Sequence, residues 1–272
     1  MILRGQADRL PSFASPPPAN WPPNLSCVTV RPMNDAVSNA YLTLLEQVRG
    51  CTLCPLSETR TNAVPGEGDA DADIMFIGEA PGFHEDRQGR PFVGAAGGVL
   101  DQMLASIGLG RSDVYICNMI KCRPPDNRDP RESEMETCRP YLSQQIEIVD
   151  PRVIVTLGRH SFAKFFPGEA ISKSRGRPRH WRGRVVFPVY HPAAILHNPR
   201  LRPALEEDFR KLPALIATEP PDEKPLPERP TVAQLGMDID GQRPKPDVEG
   251  QPRMNEVSES AGSDGPRQGQ LF

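Results

Sequence analysis

Asp-Ile-Met-Phe-Ile-Gly-Glu-Ala-Pro-Gly, residues 73–82, joins a short apolar run to a turn built from two glycines and a proline. An apolar run of this length that a glycine stops predicts a buried β-strand. The turn is neither a Walker loop nor a GxGxxG fingerprint, because no Gly-Lys-Ser/Thr follows and the glycine spacing differs. Its backbone N–H groups can face a ligand, and Glu79 stands just past the strand, where a carboxylate can orient or deprotonate water. A tight surface turn with solvated acids is the alternative.

The same alternation of strand and helix continues along the chain. Three more apolar runs, at 114–119, 153–157 and 185–190, predict strands. Helical spacing of apolar residues predicts helices at 35–50, 97–107, 131–148, 160–166 and 202–216. Continuous apolar strands separated by helices are typical of an α/β fold whose parallel sheet is covered on both faces. Ligands in such sheets bind at the carboxyl ends of the strands, so we expect the site in the loops that begin at Gly78, Asn118, Gly158 and His191.

Composition sets the domain organisation. Proline makes up 32 of the 272 residues, about 12%, against an average near 5%. Residues 1–33 and 217–272 combine proline with a lack of apolar periodicity, which predicts a disordered leader and a disordered acidic tail around one domain at 34–216. No apolar run is long enough for a membrane span, and the first residues do not form a secretory signal, so we expect a cytoplasmic protein.

Four of the six cysteines suggest a metal site. Cys51 and Cys54 form a CxxC motif, and Cys122 and Cys138 flank a second, proline-rich loop. Four thiolates from two loops can hold zinc or an iron–sulfur cluster in a tetrahedral cage. The alternative is a redox CxxC pair with the other cysteines in the core, and the spacing alone does not choose between zinc and iron. Cys27 and Cys117 are predicted to be unpaired.

Two further loops carry candidate binding side chains. The Asn118 amide offers a donor and an acceptor, which suits the edge of a pyrimidine, although an asparagine that only ends a strand is the alternative. His191 precedes Pro192, which favours an extended backbone at the histidine. Such a histidine can donate a hydrogen bond to an oxygen that becomes negative as a bond breaks, and a plain polar loop residue is the alternative.

A basic segment near the end of the domain suggests contact with nucleic-acid phosphates. Residues 170–203 carry eight lysines and arginines and no acid, whereas residues 219–264 carry eleven acids and five bases. Basic residues on a loop suit phosphate groups, and a solvated run of charges is the alternative. The candidate phosphate contacts are Lys173, Arg175, Arg177, Arg179, Arg182 and Arg184.

Together these motifs resemble family 4 of the uracil-DNA glycosylases, the iron–sulfur branch of that superfamily. The resemblance covers roughly residues 40–213, and its motifs are residues 78–86, 89–94, 118–125 and 191–194. It implies a three-layer α/β/α sandwich with a central four-stranded parallel sheet. It also implies a [4Fe–4S] cluster on the four cysteines of the two loops.

The resemblance implies an enzyme that hydrolyses the N-glycosidic bond of uracil in single- or double-stranded DNA. The product is an abasic site, which starts base excision repair. The uracil would leave the base stack to reach the site, because its glycosidic bond is unreachable inside the duplex. The implied uracil-binding residues are Gly78, Glu79, Ala80, Phe92, Asn118 and His191. Phe92 would stack on the base, Asn118 would read its O4 and N3 edge, Glu79 would position the attacking water, and His191 would stabilise negative charge on O2.

Two other functions stay open beside this one. A non-catalytic iron–sulfur protein could use the same basic face to bind DNA, and a uracil-trapping relative would bond covalently through a histidine in an arginine-rich insertion. The corresponding residues here, 122–128, read Cys-Arg-Pro-Pro-Asp-Asn-Arg and contain no histidine, which favours turnover. Ala193 replaces a serine that many superfamily members place after the His-Pro pair, which weakens one phosphate contact. We expect a monomer that associates with the nucleoid.

The last residues of the chain suggest a protein partner. Gln268, Leu271 and Phe272 resemble the peptide that bacterial sliding clamps accept in an apolar pocket, and a chance hydrophobic end is the alternative. A long tether would let the enzyme act while it is held at the clamp.

Deletion of Gln268–Phe272 is expected to abolish clamp binding and to leave the rate of base release unchanged, because the tail lies far along the chain from the predicted site. Clamp affinity is measured by surface plasmon resonance with the full chain as reference. Undiminished binding by the shortened chain contradicts the prediction.

Overall fold

A computed structural model describes residues 35–217 of the protein. The predicted leader 1–33, the tail beyond Ala217 and the candidate clamp-binding residues Gln268, Leu271 and Phe272 lie outside the described residues. Within residues 35–217, no helix combines the length and the apolar character that a membrane crossing requires.

The described residues build a single mixed β-sheet of six strands. The strands are β1 (Glu67–Gly68), β2 (Ile74–Gly78), β3 (Tyr115–Asn118), β4 (Val153–Leu157), β5 (Arg179–Trp181) and β6 (Arg184–Val189). Their order across the sheet is β1-β3-β2-β4-β6-β5. The four inner strands β3, β2, β4 and β6 are parallel, and the two outer strands pair antiparallel with their neighbours.

The prediction of a four-stranded sheet therefore lacks two strands. The four apolar runs form the parallel strands within two residues of the predicted bounds, and the α/β class is confirmed. Sequence patterns missed β1 and β5 because these edge strands have only two and three residues and no apolar run. The sequence of β5, Arg-His-Trp, lies inside the basic segment that was predicted to be a loop.

Helices lie against both faces of the sheet because successive strand side chains point in opposite directions. Ile74 and Phe76 of β2 belong to one apolar cluster, whose helical members come mostly from 99–104 and 205–216. Met75 and Ile77 belong to a second cluster on the other face, with Leu142, Ile146 and Val149. The α/β sheet is thus buried on both sides, as continuous apolar strands predict.

The longer helices follow the predicted pattern, and the short ones do not. The helices are α1 (Asp35–Gly50), α2 (Leu56–Thr59), α3 (Phe83–Gln88), α4 (Ala95–Ser106), α5 (Glu132–Val149), α6 (Arg159–Phe165), α7 (Ile171–Ser174), α8 (Pro192–His197) and α9 (Arg202–Ala217). Sequence analysis missed α2, α3, α7 and α8, which have four to six residues and so show no helical period.

The structure revises the interpretation of the basic segment. β5 and β6 form a hairpin whose turn, Arg182–Gly183, lies at the amino end of β6. Because β6 runs six residues to Val189, Arg182 and Arg184 are roughly 17 Å from the carboxyl edge where the site is expected. Arg184 is also buried and donates to Asp150 at 2.6 Å. Arg184 is therefore held inside the fold, and exposed Arg182 lies at the end of the sheet opposite to the expected site.

Two other arginines of the segment are occupied by acidic partners. Arg175 donates to the fully buried Asp208 at 2.6 Å, and Arg179 forms a bidentate pair with Glu169 at 2.6 and 2.9 Å. Of the six predicted contacts, Lys173 and Arg177 keep exposed side chains near the carboxyl end of β6, where the N–H of Gly176 donates to the carbonyl of Pro188.

Replacement of Arg184 by alanine is expected to lower the free energy of unfolding by roughly 3–5 kcal/mol, because it leaves the Asp150 carboxylate buried without this cation. Urea unfolding followed by circular dichroism measures the change. Arg177→Ala is the matched control, since Arg177 is exposed, and it should shift the unfolding midpoint little. Equal effects of the two substitutions would contradict a structural role for the pair.

Candidate functional site

The carboxyl edge of the sheet brings the predicted loops together. Gly78 pairs in register with Asn118, and the N–H of Gly158 donates to the carbonyl of Val189 at 3.0 Å. The rings of Phe92 and His191 stand 5.7 Å apart and are tilted by 33°. The loops after β2, β3, β4 and β6 thus meet at one place, as the strand pattern predicts.

Glycine at position 78 leaves room for this meeting. A Cβ atom on Gly78 would lie 2.3 Å from Oδ1 of Asn118 and 2.6 Å from Cζ of Phe92. Real Cβ atoms do not approach other heavy atoms this closely, so any side chain here would displace both residues. Gly158 stands similarly close to His191, because its Cβ would lie 3.0 Å from the Cβ of the histidine. The two glycines therefore permit the contacts that shape the pocket.

Asn118 presents an unsatisfied acceptor to this pocket. The residue is buried, and its Oδ1 atom has no hydrogen-bond donor among the described residues. A buried polar atom without a partner costs free energy, so such atoms in folded proteins commonly bind water or a ligand. An N–H group on a ligand that lies beside Gly78 would satisfy it.

His191 is held in one tautomer. It caps the short helix α8, and its Nδ1 accepts a hydrogen bond from the N–H of Ala193 at 3.1 Å. The ring therefore carries its proton on Nε2 when it is neutral. Burial lowers the pKa of His191 to about 4, so the neutral form dominates at pH 7. The Nε2–H group is left to donate to a ligand.

Phe92 has a backbone conformation that its surroundings must enforce. Its φ angle of 52° lies in the left-handed region, which costs a bulky residue roughly 1–3 kcal/mol. Arg111 donates to the carbonyl groups of Phe92 and Pro91, and Glu67 in turn accepts from Arg111 at 2.7 Å. Gly97 allows the backbone of Phe92 to pass close by, since a Cβ there would overlap it.

Glu85 connects the turn after β2 to the Phe92 loop. One of its carboxylate oxygens accepts from the N–H groups of Val93 and Gly94, both at 2.8 Å. The other oxygen accepts from Gly82 at 3.1 Å. Sequence analysis missed the roles of Glu85, Arg111 and Glu67, because charged residues in loops look like solvated surface until their backbone partners are known.

Glu79 lies in a small network of charged side chains at the mouth of the pocket. His160 Nε2 is 3.8 Å from its carboxylate and 3.5 Å from that of Asp129. Arg159 donates to the same Nε2 atom at 2.8 Å. Burial raises the pKa of Glu79, and the positive charge of Arg159 acts in the opposite direction. The backbone of Glu79 also accepts from the N–H of Ile120 at 3.2 Å, which anchors the turn beside half-buried Ala80.

The four predicted cysteines converge, whereas Cys117 lies apart in β3. Cys51, Cys54, Cys122 and Cys138 line one cavity between the α1–α2 loop, the segment after β3 and helix α5. None of the cysteines in the described residues forms a disulfide. Burial raises the pKa of the Cys122 thiol, and Arg60, which donates to its sulfur at 2.9 Å, acts in the opposite direction. Four sulfur donors around one cavity fit a tetrahedral metal centre.

A buried lysine links this cavity to the pocket. Lys121 lines the cavity and is only 2% exposed. Its ammonium group donates to the carbonyl of Asn118 at 2.6 Å and to Gln145 of α5 at 2.5 Å. The strand end that carries Asn118 is therefore tied to the helix that carries Cys138.

The chain is similar to proteins of one known family. The family model for the uracil DNA glycosylase superfamily matches residues 65–212, more than half of the chain. The protein belongs to the uracil DNA glycosylase superfamily.

Its relatives narrow the class further. A type-4 uracil-DNA glycosylase from Sulfurisphaera tokodaii is 55% identical over 183 residues, which cover 64% of this chain and 83% of the relative. The type-4 enzyme from Saccharolobus solfataricus is 50% identical, with 65% and 87% covered. The type-4 enzyme from Archaeoglobus fulgidus is 46% identical, with 65% and 94% covered. The resemblance to family 4 is confirmed.

His191 is expected to stay neutral, with its proton on Nε2, from pH 8 down to about pH 5, because its pKa is lowered to about 4. Nitrogen-15 NMR of the labelled imidazole distinguishes the tautomers and follows the titration. Exposed His180 serves as the control, since it shares the chain but not the pocket. Protonation of His191 near pH 6.5 would contradict the assignment.

Proposed function

We propose that the protein removes uracil from DNA by hydrolysis of the N-glycosidic bond and so leaves an abasic site for base excision repair. The observation that carries the proposal is the unsatisfied Oδ1 atom of Asn118, buried beside Gly78 in a pocket with Phe92 and His191. The type-4 names of the relatives and the superfamily match support the same function. DNA, single- or double-stranded, is the macromolecular partner.

Asn118 would select uracil by hydrogen-bond polarity. Uracil presents an N3–H donor, which satisfies Oδ1, and an O4 acceptor, which takes the amide N–H. Cytosine presents an unprotonated N3 and an exocyclic amine at the same positions, so both contacts would face the wrong partner. Buried groups left unpaired in this way cost binding energy, and this cost is the physical basis of the selection. Phe92 would stack on the flat face of the base.

Cleavage of the glycosidic bond would depend mainly on stabilisation of the leaving uracil. As the C1′–N1 bond breaks, the sugar becomes oxocarbenium-like and negative charge develops on uracil O2. The Nε2–H of neutral His191 would donate to that oxygen, and a fixed donor costs no reorganisation when the charge appears. Glu79 would hold the water that attacks C1′ and accept its proton. The backbone at Glu79 and Ala80 would hold the base against Gly78.

We assign a [4Fe–4S] cluster to Cys51, Cys54, Cys122 and Cys138. The convergence of four sulfurs on one cavity supports a metal centre, and the resemblance to family 4, the iron–sulfur branch, favours the cluster over zinc. When bound, the cluster supplies structural cross-linking and is not needed for the hydrolysis itself. The residues around it hold the α1–α2 loop and the loop after β3, which borders the pocket.

The same proposal covers the overall arrangement. The four parallel strands with helices on both faces would form the three-layer α/β/α sandwich of the superfamily, with β1 and β5 as additions at its edges. The domain would span 34–216 and act as a monomer at the nucleoid. Clamp binding through Gln268, Leu271 and Phe272 stays a prediction.

An oligonucleotide that carries one uracil tests the activity directly. In buffer with EDTA, followed by alkali, the protein is expected to cleave at the uracil, whereas Glu79→Gln and His191→Ala should each reduce the single-turnover rate by about 100-fold or more. A complex that survives denaturation would instead identify a uracil-trapping protein. Binding without base release, from protein that retains its iron, would identify the non-catalytic alternative.

The acid limb of the pH profile should report Glu79. Because burial raises the pKa of this carboxyl, activity should fall on acidification at a higher pH than an ordinary glutamate allows. Asp129 contributes to the raised pKa through its negative charge, so Asp129→Asn should move the acid limb of kcat/KM to lower pH. Exposed Glu132, three residues further on, is the matched control, and Glu132→Gln should leave the limb in place.

Loss of one cage cysteine should remove the cluster. Cys122→Ala is expected to lower bound iron and acid-labile sulfide to near zero, because three thiolates no longer complete the cage. Cys117→Ala is the control, since this thiol is buried in β3 and does not line the cavity. Full iron content in Cys122→Ala, or loss of iron in Cys117→Ala, would contradict the assignment.

A further inference from the structure

The first residue of helix α3 exposes a large aromatic ring beside the proposed active site. Phe83 is 46% exposed, although it directly follows the turn that carries Glu79. It contributes to none of the apolar clusters of the described core. Folding therefore gives little reason for an aromatic ring at this position, and an exposed ring next to a binding site suggests contact with a ligand.

Two guanidinium groups lie against this ring. The Cζ atom of Arg87, one helical turn further along α3, is 5.7 Å from the ring centroid, and that of Arg123 is 5.3 Å away. Both distances fall in the range of cation–π contacts. Arg123 comes from the loop that follows Cys122, so the patch joins helix α3 to the loop after β3. We call these three side chains, Phe83, Arg87 and Arg123, the Phe83 patch.

Arg123 is fixed in place by a tight turn. Its Nε donates to Oδ1 of Asn127 at 2.7 Å. Asp126 and Asn127 both have φ angles of 55°, in the left-handed region that aspartate and asparagine adopt more readily than other residues with side chains. The turn thus holds the guanidinium over the ring before any ligand arrives, which lowers the entropy lost on binding.

The chemistry of the Phe83 patch fits an unpaired nucleobase with its phosphates. Bases stack on aromatic rings and on guanidinium planes alike, and arginines beside the ring can contact the flanking phosphates. An apolar protein partner fits poorly, because two positive charges border the single exposed ring. The patch therefore favours single-stranded nucleic acid as its occupant.

The position of the patch relates it to the uracil pocket. The His84 ring stands 5.5 Å from that of Phe83, and its Cδ2 lies 3.3 Å from the point that a Cβ on Gly94 would occupy. Gly94 is two residues from Phe92, on which the uracil would stack. A strand whose uracil enters the pocket thus brings a nearby base within reach of Phe83.

We propose that the Phe83 patch is a second base-binding subsite, which stacks one nucleobase of the uracil-bearing strand a short distance from the flipped uracil. The inference rests on the proposed glycosylase function and adds a binding site outside the uracil pocket. The patch would hold the strand by stacking on the flat face of a base. Because every base has such a face, we expect this contact to be independent of base identity.

A double-mutant cycle between protein and DNA tests the subsite. The probes are single-stranded oligonucleotides with 2′-fluorodeoxyuridine, whose fluorine disfavours the oxocarbenium-like state and so permits binding without cleavage. One tetrahydrofuran residue replaces a flanking base, at each of three positions on either side in turn. Dissociation constants are measured by fluorescence anisotropy for the full chain with its cluster.

Phe83→Ala is expected to weaken binding of the complete oligonucleotide by about 5- to 150-fold. At one flanking position, removal of the base should weaken DNA binding by the wild type by a similar factor. The same removal should not weaken DNA binding by Phe83→Ala any further. Phe83→Trp should retain the affinity, and Phe83→Leu should resemble the alanine variant because it keeps apolar area without a π face. On cleavable uracil DNA, Phe83→Ala should raise KM and leave kcat unchanged.

Leu42→Ala is the matched control, since Leu42 is an apolar residue on α1 that is 56% exposed, and its replacement should leave binding unchanged. Base removals that act alike on wild type and Phe83→Ala at all six positions would overturn the subsite, even if uracil is released normally. Failure of the wild type to release uracil would overturn the proposed function instead. In that event, coupling between Phe83→Ala and one base removal in the 2′-fluorodeoxyuridine probes would still establish that a base stacks on Phe83.

Discussion

The site depends on one close approach, that of the Gly78 backbone to Asn118 and Phe92. Gly78 and Asn118 stand opposite each other in two parallel strands, and the absent side chain at Gly78 is the space into which both neighbours fit. A parallel sheet places successive loops at one edge, but it does not by itself bring an amide and an aromatic ring within contact of one backbone atom. The glycine converts a common sheet edge into a narrow slot with an unsatisfied acceptor on its wall.

Around that slot, charged residues act on the backbone more than on a ligand. Glu85 accepts three N–H groups from two segments, and Arg111 holds the carbonyl of Phe92 in a conformation that the residue would not choose alone. Glu67 then fixes Arg111. Such a framework keeps the ring of Phe92 at its place in the free protein, so binding need not order it.

The sequence reveals the main elements because the inner strands are continuous apolar runs, and parallel topology then places Gly78, Asn118, Gly158 and His191 at one edge. The CxxC motif and the later pair of cysteines likewise predict one metal site, and the four side chains line one cavity. The edge strands could not be predicted, since Arg-His-Trp in β5 pairs only because β6 offers an open edge. The pairing of arginines in the basic segment could not be predicted for a related reason. The sequence shows the positive charges of Arg175 and Arg184, but it does not show that Asp208 and Asp150 lie inside the fold and pair with them.

The hairpin between β5 and β6 has a practical consequence. Its turn at Arg182 and Gly183 lies at the opposite end of the sheet from the proposed uracil pocket, and both residues have left-handed φ angles, of 47° and 75°. Turns at loop tips tolerate inserted residues better than strands or helices do. A fluorophore or a surface-attachment tag placed in this turn would leave the DNA-facing edge clear, so that single molecules could be watched as they search a stretched strand.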